Sequence, residues 1–256
     1  MEILHLEALV AAVLFVGLRV GGLMLFAPFL SSQSIPAQMK VALAVALTAL
    51  LYPACRPTPT ASGVLDYAGF ALAEMVTGLL LGLASQLTVE AAQLAGQMVG
   101  VQSGYSLVTL FDPQTQADTA VMATFNQFVV LLIFVQLNAD HWLLRGLAAS
   151  FSYLPPGSLI TGAKAGYALL RAAGGIWLAA LQLAAPVVVA TMLVDVTLGF
   201  LAKASPQLPV LFLGLPIKNL LGLTILTGSL VLWPRFFEHR FSAGIELGEQ
   251  LLHLAK

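Results

Sequence analysis

The sequence predicts an all-α integral membrane protein of about six long helices, kinked and hairpin-paired, with one irregular loop. Three observations predict it. Hydrophobic residues are 59% of the 256 positions and charged residues only 9%, with a mean hydropathy of +0.93, whereas an ordinary soluble domain is roughly 25% charged. Lipid or partner subunits must therefore cover much of the surface. Second, the charges are spaced so as to leave stretches of about 20 apolar residues, the length that crosses a bilayer. Third, these stretches lack the alternation of barrel strands, and backbone in hydrocarbon must satisfy its own hydrogen bonds, so they are helices. The same composition excludes a disordered chain. Eleven Lys+Arg against twelve Asp+Glu, a net charge of −1, leave no basic patch for nucleic acid.

In chain order, the first apolar stretch is Ala8–Leu30, interrupted only by Arg19. Ala37–Cys55 follows, with Lys40 near its start, and then Val64–Gln86, which contains Glu74. Val121–Leu137 is the fourth, Ala172–Val194 the fifth and Leu208–Trp233, containing Lys218, the sixth. Prolines at 28, 36, 53, 57, 59, 113, 155, 156, 206, 209 and 234 mark the connections between them. Pro186 lies inside the fifth stretch and predicts a kink. Gly214 and Pro216 predict a broken or re-entrant start to the sixth. The chain divides into an N-terminal helical bundle, 1–170, and a C-terminal hairpin, 171–256, with no internal repeat. Met1–Glu7 carries two acids and no base, the wrong n-region for a cleaved signal peptide.

One segment breaks the pattern. Ala91–Phe111 has no charge, yet Gln93, Gln97, Gln102, Ser103, Ser106 and Thr109 make it polar. Gly96, Gly100 and Gly104 recur every four residues and share one helical face. Such a face belongs against protein or water. After Gly104 the pattern dissolves, and irregular backbone at membrane depth is tolerated only inside protein or beside a watery cavity. The pairs Gly17/Gly21, Gly78/Gly82, Gly96/Gly100, Gly100/Gly104, Gly162/Gly166 and Gly244/Gly248 exceed the chance expectation of about two, which favours close helix–helix approach.

Arg19, Glu74 and Asp195 lie within apolar stretches. Each costs roughly 2.5–3.5 kcal/mol in hydrocarbon on insertion scales, so each must face protein or water. They form either a pair or cluster that fixes helix register, or part of a substrate or proton path. Lys218 and Glu90 lie nearer the ends, where they can snorkel. Cys55, alone, excludes an internal disulfide framework and reads as a small buried residue. The histidines, 5, 141, 239 and 253, fall in polar or terminal segments, and neither HExxH, GxSxG nor a Walker loop occurs. No catalytic, cofactor-binding or metal site is expected. Two alternatives follow from the residues: a secondary transporter using Arg19, Glu74 and Asp195 as a midplane site, and, further off, an intramembrane enzyme.

An ordered set of motifs resembles the FliR family of bacterial flagellar biosynthesis proteins. It runs through Arg19-Val20, Leu23, Ala27-Pro28, Ile35-Pro36, Lys40, Tyr52-Pro53 and Glu74 with Gly78 and Gly82. It continues with Gln93, Gly96, Gly100, Gln102, Gly104, Ser106 and Asp112-Pro113, and resumes at Leu154-Pro155, Pro206-Gln207, Gly214, Pro216 and Lys218. The virulence-secretion homologues share the architecture, so their equivalent subunit is an alternative reading; the Ala-Pro and Ile-Pro spacing looks more like the flagellar form. The resemblance implies a subunit of the type III protein export gate in the bacterial inner membrane at the flagellar basal body, not an enzyme. It implies assembly with two other small membrane proteins, the P and Q subunits, around a pore for unfolded export substrates. In that family the loop after the Gly-rich helix plugs the pore. Carried over, the plug is Tyr105–Asp118, with Tyr105, Leu107, Leu110, Phe111, Asp112 and Pro113 as its candidate residues. The resemblance also implies that the hairpin tip, Lys203–Lys218 with Pro206, Gln207, Gly214, Pro216 and Lys218, lies toward the cytoplasm near the export switch protein. Counting positive charges gives the reverse side for that tip: Arg56, Arg145, Lys164, Arg171, Arg235, Arg240 and Lys256 fall opposite Lys40, Lys203 and Lys218.

Overall fold

The computed structural model describes residues 2–31, 35–54, 63–105, 121–156, 163–207 and 209–254. Among the described residues the chain is helical and contains no strand. The helices are α1 (Glu2–Phe26), α2 (Ala37–Leu51), α3 (Val64–Ser103), α4 (Val121–Gln136), α5 (Ala139–Tyr153), α6 (Ala163–Ala204), α7 (Val210–Ser229) and α8 (Trp233–Leu254). Single 3-10 turns, Tyr52–Ala54 and Leu230–Leu232, follow α2 and α7. Among these residues four helical stretches are long and apolar enough to cross a membrane, in α1, α3, α6 and the α7–α8 run, or five if α4 and α5, bent at Asn138, form one broken span. At 15 residues, α2 rises only about 22 Å, short of the roughly 30 Å hydrocarbon core.

The third apolar stretch and the polar glycine segment are thus one 40-residue helix, α3. Two helices lie where the sequence reading placed connections. α5 carries Asp140 and Arg145, but Leu143, Leu147 and Phe151 recur at helical spacing, and all are buried. α8 buries Trp233, Phe237 and Phe241 and exposes Arg235, Glu238 and His239. The expected break at Gly214–Pro216 is absent, because α7 runs through Pro216. A proline withdraws one intrahelical bond, a defect that packed membrane helices tolerate. Here Gly214 is buried against Leu198 of α6 and Pro216 is exposed. α6 likewise continues through Pro186.

The chain forms two compact units that interleave in sequence. The first comprises Met1–Thr88, Phe134–Ala173 and His239–Lys256. Its core joins Val16, Val20, Leu23, Met24 and Ala27 of α1 to Leu81 of α3, Leu143, Leu147 and Phe151 of α5, and Leu154. Ala44, Leu47 and Leu51 of α2 pack against it. α1 and α3 run parallel and touch backbone to backbone. A Cβ added at Gly78 would overlap the Arg19 carbonyl, one at Gly22 would overlap that of Met75, and one at Gly82 would lie 2.5 Å from the Leu23 oxygen. Only glycine permits that approach. Phe134 meets Phe241 edge-on at 5.2 Å, and Gly244 faces the Ala84 carbonyl.

The second unit comprises Val89–Ile133 and Gly174–Glu238. Here α3 packs on α4 at Gly96, where a Cβ would lie 2.5 Å from the Met122 oxygen. Asn126 Nδ2 donates to the Ala92 carbonyl at 3.2 Å. α6 and α7 form an antiparallel hairpin: Gly222 faces Val187 and Thr191, Lys218 meets Asp195, and Gly214 meets Leu198.

Candidate functional site

Two polar clusters sit within the apolar helices. In the first unit Arg19 and Glu74 are each 1% exposed. Arg19 Nε donates to Glu74 Oε2 at 2.6 Å, Nη1 to Ser150 Oγ at 3.1 Å and Nη2 to the Leu154 carbonyl at 2.9 Å. Its guanidinium carbon lies 4.2 Å from the centroid of the Phe151 ring, a cation–π contact. One cation thereby ties α1 to α3, to α5 and to the residue after α5. Ser150 Oγ in turn donates a hydrogen bond to the Leu147 carbonyl at 2.6 Å. A buried charge is stable only with such compensation. The Arg19–Glu74 pair stands beside Gly78, where the helices touch.

Asp195 has other partners. Its Oδ1 is ion-paired with Lys218 Nζ, and its Oδ2 accepts a hydrogen bond from Gln102 Nε2 at 3.0 Å. Asp195 is 45% exposed and Lys218 16%. Lys218 does not reach for an interface; it turns to a carboxylate one helix away. The antiparallel alignment of α6 and α7 brings the two together, and no local sequence signal announces such a pairing. The structure therefore brings Arg19 and Glu74 together, and gives Asp195 to Lys218 and Gln102.

The glycine-rich end of α3 lies in the second unit. Gly96 and Gly100 are buried, whereas Gln97 is exposed. A groove of about 620 Å³ runs between α3, at Leu94, Gln97, Met98, Val101 and Gln102, and the face of α6 from Trp177 to Val189. The helix then stops in a defined way. Gly104 has φ 86°, in the left-handed region. Its N–H donates to the Val101 carbonyl at 3.2 Å, and the Tyr105 N–H to that of Gly100 at 3.0 Å. This pair of bonds is the Schellman cap, which satisfies carbonyls that a helix end would leave bare. Gly104 is thus the terminator of α3 rather than a third packing glycine. Of the candidate plug residues, Tyr105 is half-buried just past the cap. Leu107, Leu110, Phe111, Asp112 and Pro113 lie outside the described residues. Of the candidate tip residues, Pro206 and Gln207 are exposed in the turn between α6 and α7, while Gly214, Pro216 and Lys218 lie inside α7.

Among the described residues no cluster of His, Cys, Asp and Glu could hold a metal ion. The outer surface is instead rich in large apolar side chains, among them Trp177, Met192, Val196 and Phe200 on α6 and Phe212, Ile217, Leu220 and Leu223 on α7. Such a surface needs lipid or protein against it.

Comparison with known proteins gives one consistent result. The family described as bacterial export proteins, family 1, matches residues 10–244. The flagellar biosynthetic protein FliR of Escherichia coli (strain K12) is 32% identical over 229 residues, 88% of this chain and 86% of that protein. FliR of Pectobacterium carotovorum subsp. carotovorum is 31% identical over 234 residues (91% and 90%), and FliR of Bacillus subtilis (strain 168) is 29% identical over 246 residues, 95% of each chain. Helices of membrane-spanning length, the glycine contacts at 78, 82 and 96 and these matches over most of the chain lead to one assignment: the chain belongs to the bacterial export proteins, family 1, and within it to the FliR type.

Proposed function

We propose that this chain is the R-type subunit of the flagellar type III export gate, in the bacterial inner membrane at the basal body. It assembles with the P and Q subunits around a pore for unfolded flagellar proteins, and it meets the export switch protein at the Pro206–Gln207 turn of its 171–256 hairpin. It performs no chemistry. Tyr105–Asp118 closes the pore by packing and by excluding water, with Leu107, Leu110 and Phe111 as the apolar contacts, and cargo or a partner displaces it.

The observation that carries this reading is the way α3 ends. A 40-residue helix with a buried glycine face stops in a glycine cap, and an uncharged stretch, Tyr105–Phe111, follows directly. Such a stretch, anchored to a rigid helix end, suits a plug better than a lipid-facing loop. The exposed apolar faces of α6 and α7 support assembly with partner subunits.

The test is deletion of 106–118 in the assembled gate. Raised ion permeability of the inner membrane, with altered flagellar secretion, is the expected outcome. Unchanged permeability together with normal secretion sinks the plug. Copurification with the two small membrane subunits tests the assembly.

A further inference from the structure

Three helices of the second unit meet at Asp195. Its carboxylate is divided between two partners: one oxygen holds Lys218 of α7, and the other holds Gln102 in the last turn of α3. Gln102 lies two residues before Gly104, where α3 ends. Ser103, between them, is buried, and its Oγ is 3.3 Å from where a Cβ on Gly222 would stand. The end of α3 is therefore seated on the α6–α7 hairpin.

Two contacts hold it there: the packing of buried Ser103 against Gly222 and the hydrogen bond from Gln102 to Asp195. Beside the ion pair a cavity of about 240 Å³ opens among Leu198, Gly199, Gly214 and Leu215. Small residues there leave room around the charges. This differs from the α1–α3 contact at Gly78, where backbones touch and nothing can shift. A charged group also holds its partners more strongly than a neutral one, because a charge-assisted hydrogen bond is about twice as strong. The carboxylate thus reaches both Lys218 of α7 and Gln102 at the end of α3.

We propose that Asp195 is a positioning residue: it clamps the last turn of α3 to the hairpin and so sets where Tyr105 begins. In the assembled gate this makes it the anchor of the plug, a consequence that rests on the plug reading above; the clamp itself does not. Charge on Asp195 and Lys218, added to that packing, decides whether the root of the loop stays seated.

The experiment uses the whole gate complex in membranes. Tyr105→Cys in a Cys55→Ala background reports the helix end through its rate of modification by a membrane-impermeant maleimide. Asp195→Leu removes both contacts and should raise that rate about tenfold, and Asp195→Asn, which keeps an acceptor but no charge, about threefold. Exchanging the charges, Asp195→Lys with Lys218→Asp, restores the ion pair and lets Gln102 turn its amide so that Oε1 accepts from the ammonium at 195, which should return the rate to within about twofold of the reference. A rate in Asp195→Leu within about twofold of the reference, in a complex that assembles, overturns the clamp. If Asp195→Leu does not assemble, Gln102→Leu decides, since it severs the α3 arm without stranding a charge, and an unchanged rate there overturns the proposal. Ion permeability after deletion of 106–118, measured in parallel, separates the two ideas. A leaking deletion with unmoved labelling refutes the clamp and keeps the plug. Raised labelling with a tight deletion refutes the plug and keeps the clamp.

Discussion

Removing either partner of the Arg19–Glu74 pair should damage the protein far more than removing both. Glu74→Leu leaves a guanidinium 1% exposed among Phe151, Ser150 and the Leu154 carbonyl. Arg19→Leu leaves a buried carboxylate. Breaking a buried pair from one side costs about 3–5 kcal/mol, because the survivor stays buried and loses its partner's opposite charge. For a chain of this size that lowers the thermal midpoint by about 6–20 °C. The double variant strands no charge. Ser150 still donates to Leu147, so its hydroxyl stays satisfied. The Leu154 carbonyl loses the Arg19 donor and is left wanting, at about 1–3 kcal/mol. The double variant should therefore recover most of the loss, with a coupling of about 3 kcal/mol between the two sites. The assay is the thermal midpoint of the detergent-purified gate complex for all four members of the cycle, with swimming motility as the functional readout. Additive losses, with the double variant as unstable as its two parents combined, would refute the reasoning: the pair would then be two independent packing residues.

Gly78→Ala should destabilise the complex by about 1–3 kcal/mol through forced separation of α1 and α3, whereas Gly21→Ala, with nothing within 4 Å of its added carbon, should gain up to about 1 kcal/mol of helix propensity; paired thermal midpoints check the contrast. Gly104→Ala places a Cβ at φ 86° at a cost of about 1–2 kcal/mol, with Gly104→Asn milder; membrane ion permeability should rise in that order of severity. Leu147→Ala, fully buried in the first core, should cost about 2–5 kcal/mol, read as a fall in the amount of assembled gate.

The apolar stretches, the special standing of Arg19 and Glu74 and the glycines at 78, 82 and 96 were legible in the sequence because each obeys a one-dimensional rule: run length, forbidden charge or residue spacing. α5 and α8 were not, although Leu143, Leu147 and Phe151 show helical periodicity, because a threshold on charge hides an amphipathic helix. The Asp195–Lys218 pair was invisible for another reason. It depends on how two helices are set against each other across a turn, and that register is fixed by Gly222 against Val187 and Gly214 against Leu198. The run of α7 through Pro216 also had to come from packing, since local propensity alone argues for a break. Gly104 was grouped with the packing glycines on spacing, yet its backbone conformation gives it a different task.

The parallel contact of α1 and α3 has a mechanical consequence. Two helices kept apart by side chains can roll, because rotamers yield. Here Gly22, Gly78 and Gly82 leave no such layer, and turning either helix about its axis would drive side-chain carbons into the other's carbonyls. Each residue advances a helix by about 100°. Inserting a single residue between 78 and 82 would therefore carry Gly82 off the seam, while a residue added between Gln38 and Lys40, in a different helix, leaves it untouched. The joint behaves as a keyed shaft, and motion of this protein must come from parts held by other means.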